Sequence, residues 1–421
     1  MRTTPKDAVA VLLQDCVVEP ETLGPMLERL RDFAGRYQPH FVRSEQRSLG
    51  LMYLEGLLSA LERKSIERIA TDHGCTRRGL QRFVGAGLWE DEPLLAELRA
   101  HVREEFGDED GLLILDPSAF PKKGTESVGV KRQWCGRLGK KDNCQIGVFM
   151  SYDSPKGHSL VAHRLYLPQE WAEDPARRKK CHVPPEIEFL TTWQIADEQL
   201  VEFGAEFPHR FVVADEEFGR IGEFRRRLHD RSEKYVLAVD NTTSFEDLRT
   251  PFPKWTGVGR PPTRRPPVQA KVWAERRKNW KRIWVRDGEK APIEVHAAST
   301  LIEAKTQTFT ERLVVIRKKV GRGVEHHYWV SNDLESSLED LVRVAARRHW
   351  IEHDFQRAKG EVGLAHYEVR SWVGWNHHMT LACLALFFLV LEQRRVGKKK
   401  LRSDRSAGEL GTQSAPADST G

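Results

Sequence analysis

The chain has 421 residues, with 67 Lys and Arg against 61 Asp and Glu, a net charge of +6 and an isoelectric point near 8.9. That length excludes a single small domain and predicts two or three units, while the charge bias is too mild to name a polyanionic partner. Six cysteines, at 16, 75, 135, 144, 181 and 383, form no CxxC pair, which argues against a zinc ribbon or a disulfide scaffold and suits reduced thiols in a cytoplasm.

Met1 to Val18 holds only a short apolar stretch before Glu19 and Glu21, unlike a secretory signal. Residues 1–105 read as helical, because Leu51, Leu54, Leu57, Leu58 and Leu61 recur at helical spacing. Within them Ser65–Asp72, a turn at Gly74 and a helix capped by Thr76 have the outline of a helix-turn-helix. Arg77, Arg78, Gln81 and Arg82 would then face a DNA groove or its phosphates; a plain helical hairpin fits the same pattern. From Gly111 short β-rich runs follow, at Leu112–Leu115, Gln145–Tyr152 and Ser159–Leu167. A helix over Pro185–Phe203, a strand at Arg210–Ala214, a helix over Gly219–Arg231 and a strand at Tyr235–Val239 complete a β-β-β-α-β-α-β order. That order is one of several α/β possibilities.

Residues 244–330 break the pattern and predict a β-rich insertion, with strands at Lys281–Val285, Leu313–Arg317 and His327–Val330. Between Pro253 and Arg286 eleven basic residues stand against one acid, Glu275, interleaved with Trp255, Trp273, Trp280 and Trp284. Cations with aromatics suit phosphate neutralisation and base stacking, with at least half of the tryptophans expected in the core. A helix is expected over Leu338–Lys359, followed by the apolar run Met379–Leu391, too short for a membrane span and expected to be a buried helix. His326-His327 and His377-His378 read as structural, since adjacent imidazoles point apart and no Cys or His lies at zinc spacing. The Lys-rich, then Ser/Ala/Gly-rich end from Gly397 is expected to be disordered.

The chemistry concentrates in acids. Asp116 follows the apolar Leu112–Leu115 and precedes Pro117, which cannot continue a central strand. Asp215 follows Phe211–Ala214, with Gly219 beyond. Carboxylates ending two neighbouring strands can converge, as phosphodiester chemistry requires when two hard cations about 3.5–4 Å apart share oxygen ligands. A strand-end acid facing water is the other reading of each. Arg348, Glu352 and Lys359 share one helix face, whereas Asp354, about 200° from Glu352, is expected in solvent. Cations beside a metal-binding glutamate suit a phosphate substrate, and an Arg–Glu pair on a solvated face suits the same spacing.

The stretches Leu115–Gly124, Val213–Gly219 and Ile351–Phe355, with Lys359-Gly360 and His366–Trp372, resemble bacterial insertion-sequence transposases of the DDE superfamily over roughly residues 45–392. The resemblance implies an α/β fold, a ribonuclease H-like catalytic core interrupted by a β-rich insertion, with an N-terminal helical domain. The expected boundaries are 1–105 for the helical DNA-binding domain, 106–243 and 331–396 for the two parts of the core, 244–330 for the insertion and 397–421 for a basic tail. It implies that Asp116, Asp215 and Glu352 are catalytic and bind two Mg²⁺ ions, Mn²⁺ substituting. Arg348 and Lys359 would contact terminal DNA or the scissile phosphate. Lys122, Lys123, Arg77, Arg78, Arg82, Arg276, Arg277, Lys278, Trp280, Lys281 and Arg282 would be further DNA contacts. The family's Tyr-x2-Arg-x3-Glu-x6-Lys signature falls on Ala345, Arg348, Glu352 and Lys359, so its tyrosine is missing, and Phe218 stands where relatives often carry Tyr. The implied activity is metal-dependent cleavage at the ends of a mobile element and strand transfer into target DNA. A homodimer on double-stranded inverted-repeat ends, in a bacterial cytoplasm at the nucleoid and away from membranes, is expected. A noncatalytic DNA-binding descendant and a nuclease that only cuts are the other readings.

Overall fold

A computed structural model describes residues 25–286, 293–304, 307–321 and 323–410. The chain divides into two units. One comprises Met1–Glu97, Arg357–Val369 and Val373–Gly421, the other Leu98–Gln356 and Arg370–Trp372. This division differs from the expected boundaries, because the apolar C-terminal helix belongs with the N-terminal helices.

The second unit is built on a sheet. Its strands are β1 Leu112–Pro121, β2 Lys131–Cys135, β3 Lys140–Ser154, β4 Gly157–Leu165, β5 Phe211–Ala214, β6 Tyr235–Val239, β7 Ser244–Asp247, β8 Val268–Gln269, β9 Lys281–Arg286, β10 Ile293–Glu303, β11 Glu311–Val320 and β12 Gly323–Ser331. They run in the order β2-β3-β1-β5-β6-β12-β11-β10-β7-β8, with β4 also on β3 and β9 also on β10. β1, β5 and β6 are parallel, as crossovers through the helices Thr192–Phe203 and Gly222–Asp230 require, and β3 runs antiparallel to β1. Leu112–Leu115 and Phe211–Ala214 are buried throughout, the signature of strands covered on both faces. This mixed α/β architecture is compatible with a ribonuclease H-like core. The strands of the 244–330 segment extend the same sheet, since β12 pairs with β6 over Ser331↔Val236 to Tyr328↔Val239.

The helix expected over 338–359 is two helices, Leu338–Arg347 and His349–Gly360, meeting in a turn at Arg348. A one-turn helix, Glu216–Gly219, follows β5 and lies against β6. A Cβ on Gly219 would collide with the Ala238 carbonyl, so only glycine permits that approach.

The first unit is helical: Met26–Tyr37, Ser44–Leu58, Ile66–Asp72, Arg77–Ala86, the start of Glu92–Phe106, and most of Trp372–Leu410. Phe33 packs on Phe387 and Phe388 at ring distances of 6.0 and 5.3 Å. His377 stacks on Trp89 at 3.6 Å and meets the Val84 and Trp89 carbonyls through its two nitrogens; burial pushes it down to about 4. His378 Nδ1 meets Tyr53 Oη at 2.9 Å, so this histidine pair is structural. By length and composition Trp372–Gly397 could cross a membrane, but 83% of its apolar window is buried inside the protein. The helix runs on to Leu410, through the Lys-rich stretch expected to be disordered, as Lys, Arg and Leu are good helix formers carried by an anchored helix. Residues 411–421 of that expected tail, and 1–24 of the expected helical domain, lie outside the described residues.

Candidate active site

β1 pairs with β5 only from Leu112↔Phe211 to Leu115↔Ala214, so the parallel ladder stops one residue before each aspartate. Asp116 and Asp215 therefore emerge side by side. β1 itself continues along β3, with Pro117 opposite Val148, so the strand end expected at Asp116 is an end on one flank only. Proline is tolerated because that flank has no partner for the N–H it lacks. Asp215 opens the helix Glu216–Gly219, and its Oδ1 accepts from the Glu217 N–H at 2.9 Å.

The third acid, Glu352, lies in the first turn of His349–Gly360 with its side chain 58% exposed. One guanidinium joins all three. Arg348 Nη2 lies 3.3 Å from Asp116 Oδ1 and 3.9 Å from Asp215 Oδ2, and Nη1 lies 2.7 Å from Glu352 Oε1. Burial pushes Asp116 up to about 8, Arg348 opposing and Asp215 and Glu352 adding to the rise. Asp215 is also raised by burial, against the pull of Arg348 and of the Glu217 and Phe218 N–H groups. Burial works to lower the Arg348 pKa, but the carboxylates, Asp116 foremost, hold it above the usual arginine value.

Three carboxylates thus face one cation. Among the described residues no three His, Cys, Asp or Glu side chains stand arranged to hold a metal ion. Arg348 lies among Asp116, Asp215 and Glu352. The donor set still fits a hard divalent cation, being all carboxylate oxygen with positive charge in deficit.

The helix carrying Glu352 is pinned by residues that spacing did not reveal. Asp354, expected in solvent, is fully buried: its Oδ2 accepts from Ser151 Oγ at 2.9 Å and its Oδ1 meets His158 Nδ1 at 2.6 Å. It falls among Ile351, Phe355 and Ala358, the buried stripe of the helix, and that i, i+3, i+4, i+7 set was the signal available in sequence. Before the turn, Arg347 Nε donates to the buried Asp153 at 2.6 Å. Ala345, at the position of the signature tyrosine, is buried, and so is Phe218, packed on Phe224 at 6.0 Å.

Lys359 lies about two turns beyond Glu352 on the same helix, but in the helical unit. Lys122 and Lys123 follow β1, the first half-buried and the second exposed. Arg277, Lys278, Trp280 and Lys281 line one open cavity of about 540 Å³ with Arg249 and Asn279. Arg276 is exposed, Arg282 is held by Glu294 at 2.8 Å, and Lys281 pairs with Glu339. Of the four tryptophans only Trp273 is buried, fewer than expected; Trp280 is half-buried and Trp255 and Trp284 are exposed. In the helical unit Ile66–Asp72 and Arg77–Ala86 flank Gly74 at φ +66°, and Ser65 rather than Thr76 makes a side-chain cap. Leu80, Phe83 and Val84 are buried while Arg77, Arg78, Gln81 and Arg82 are exposed, Arg77 bonding Glu67 at 3.0 Å.

The profile of the DDE superfamily endonucleases matches residues 36–292, more than half of the chain. The chain belongs to the DDE superfamily endonucleases. The matched stretch contains Asp116 and Asp215 and ends before Glu352. A relative from Microchaete diplosiphon, a probable transposase for insertion sequence element IS701, is 28% identical over 244 residues, covering 55% of this chain. The chain spans 59% of the length of that relative.

Proposed function

We propose that this DDE endonuclease is an insertion-sequence transposase that cuts DNA at the ends of its mobile element and joins them to a target. The observation that carries the proposal is the placement of Asp116 and Asp215 side by side at the end of a parallel ladder, with Glu352 reaching the same guanidinium. Asp116, Asp215 and Glu352 would hold two Mg²⁺ ions, Mn²⁺ substituting, which when bound supply an activated nucleophile and charge neutralisation at the phosphodiester.

The chain's own residues do the rest. Arg348 neutralises and orients charge at the scissile phosphate, and Lys359 contacts the terminal DNA. Asp354 and Arg347 hold the glutamate helix against β3 so that Glu352 keeps its position. Arg77, Arg78, Gln81 and Arg82 form an exposed face suited to a groove. Lys122, Lys123, Arg276, Arg277, Lys278, Lys281 and Arg282 take backbone phosphates, and Trp280 offers a ring to a base. Water and then a DNA 3′-hydroxyl are the successive nucleophiles, so no covalent enzyme intermediate is required. A homodimer would hold the two ends.

The test is Mg²⁺-dependent cleavage of DNA carrying the element's ends, followed by joining of pre-cleaved ends to a target duplex. Cleavage and joining, both lost in Asp116→Asn and Glu352→Gln, are expected. Cutting without joining would mark a nuclease only, and specific binding without either would mark a noncatalytic descendant.

A further inference from the structure

Arg348 stands where the three acids would close on a metal. Its Nη2 touches Asp116 Oδ1 and approaches Asp215 Oδ2, the two oxygens that neighbouring strands bring together, while Nη1 takes Glu352 Oε1. An oxygen that directs a lone pair at a guanidinium cannot direct the same lone pair at a metal ion. A guanidinium and a divalent cation within a few ångströms also repel strongly where water is scarce. The two cations thus compete for the same carboxyl groups.

Arg348 is held through the two terminal nitrogens of its guanidinium. Its Nε is buried with no hydrogen-bond partner among the described residues. It sits in the turn between two helices, where Arg348 N–Ala345 O and Ile351 N–Arg348 O are long at 3.4 and 3.3 Å. Either side of it side chains anchor the helices to β3, Arg347 on Asp153 at 2.6 Å and Asp354 on Ser151 at 2.9 Å. Release therefore needs a side-chain swing and no movement of the helix.

We propose that Arg348 is the resident counter-ion of the acid cluster, and that a divalent cation binds by displacing its guanidinium from Asp116, Asp215 and Glu352. The proposal rests on reading those three acids as metal ligands. Arg348 is then a positioning residue with two places: among the carboxylates before loading, and free to meet a phosphate after it. Lysine at this position would keep the charge but could not span three carboxylates, so it should compete less well.

Mn²⁺ titrated into the full-length protein without DNA, with free Mn²⁺ read by its electron paramagnetic resonance signal, separates the possibilities. Arg348→Gln is expected to bind Mn²⁺ about tenfold tighter than the native protein, the scale of one substantial charge interaction, with Arg348→Lys between the two. Asp116→Asn is expected to lose binding. Arg348→Gln binding no tighter than native, with Asp116→Asn still losing Mn²⁺, would overturn the proposal and leave the ligand assignment standing. Asp116→Asn binding like the native protein would remove the ligand assignment itself. Thermal melting covers the case in which Arg348→Gln folds poorly. Mn²⁺ should raise its midpoint more than that of the native protein, and an equal or smaller rise would also overturn the proposal.

Discussion

Arg225 and Arg348, two of the arginines in the sheet unit that meet buried acids, differ in charge balance. Arg225, on the helix Gly222–Asp230, lies 3.0 Å from Glu311, and its Nη1 donates to the Gly219 carbonyl at 2.5 Å. Tyr235 Oη donates to the same Glu311 oxygen at 2.6 Å, and the Arg225 and Glu311 side chains are 4% and 0% exposed. One cation meets one anion there, sealed from water. Arg348 instead meets three carboxylates, and one of them, Glu352, reaches solvent. That pair is charge-balanced and closed to solvent, although Arg225 Nε and Glu311 Oε2 have no hydrogen-bond partner among the described residues. An unbalanced cluster with an open side has acid in excess of its cation, and that is how the proposed site differs physically from the sealed pair.

Substitutions should separate the two clusters by the property they break. The largest effect is expected at Asp116: its change to Asn should reduce end cleavage by more than about a hundredfold. Stability should change little near neutral pH, because burial already keeps Asp116 largely protonated there. Cleavage assays beside urea unfolding measure both, and a large destabilisation by Asp116→Asn would erase the contrast. Arg225→Met should do the reverse. It leaves Glu311 buried and unpaired, so urea unfolding should report a loss of about 3–5 kcal/mol, with cleavage per folded molecule retained. Asp354→Asn falls between them. Losing the charge opposite His158 should cost about 1–3 kcal/mol and lower the cleavage rate through displacement of Glu352. A stability loss with an unchanged rate per folded molecule would show that the pinning does not reach the site.

The unbalanced cluster was largely legible in sequence, and the balanced one was not. An apolar run followed by an acid marks the place where a buried strand gives way to the surface, so Leu112–Asp116 and Phe211–Asp215 disclosed themselves locally. Their meeting required only that the two strands be neighbours, and they pair in register to the last residue. Glu311 begins β11 and pairs with a helix more than eighty residues earlier, a contact no local period encodes. The angle from Glu352 alone puts Asp354 in solvent, whereas the Ile351, Phe355, Ala358 stripe on which it sits puts it in the core. The turn at Arg348 carries neither Gly nor Pro, so spacing gave a continuous helix there. The strands of the insertion were partly visible, but their joining of the core sheet through β12 and β6 depends on remote pairing.

Glu90-Asp91-Glu92, at the start of the helix Glu92–Phe106, is a third arrangement, in which the charges acting on an acid are themselves acidic. Burial pushes Asp91 up to about 6 from an ordinary 3.8, its own backbone N–H opposing and Glu92 and Glu90 adding to the rise. Between those two values the folded protein holds more protons than the unfolded chain, so this site's contribution to stability falls as pH rises through that window. Asp91→Asn removes the ionisation, and Asn is as good as Asp at the start of a helix. The variant should be more stable at neutral pH by up to about 3 kcal/mol, and its stability should depend less on pH between 3.8 and about 6. Urea unfolding across that range tests it. Parallel curves for the two proteins would mean that Asp91 is solvated well enough to ionise freely, and that an excess of like charge matters in this protein only where burial also denies it water.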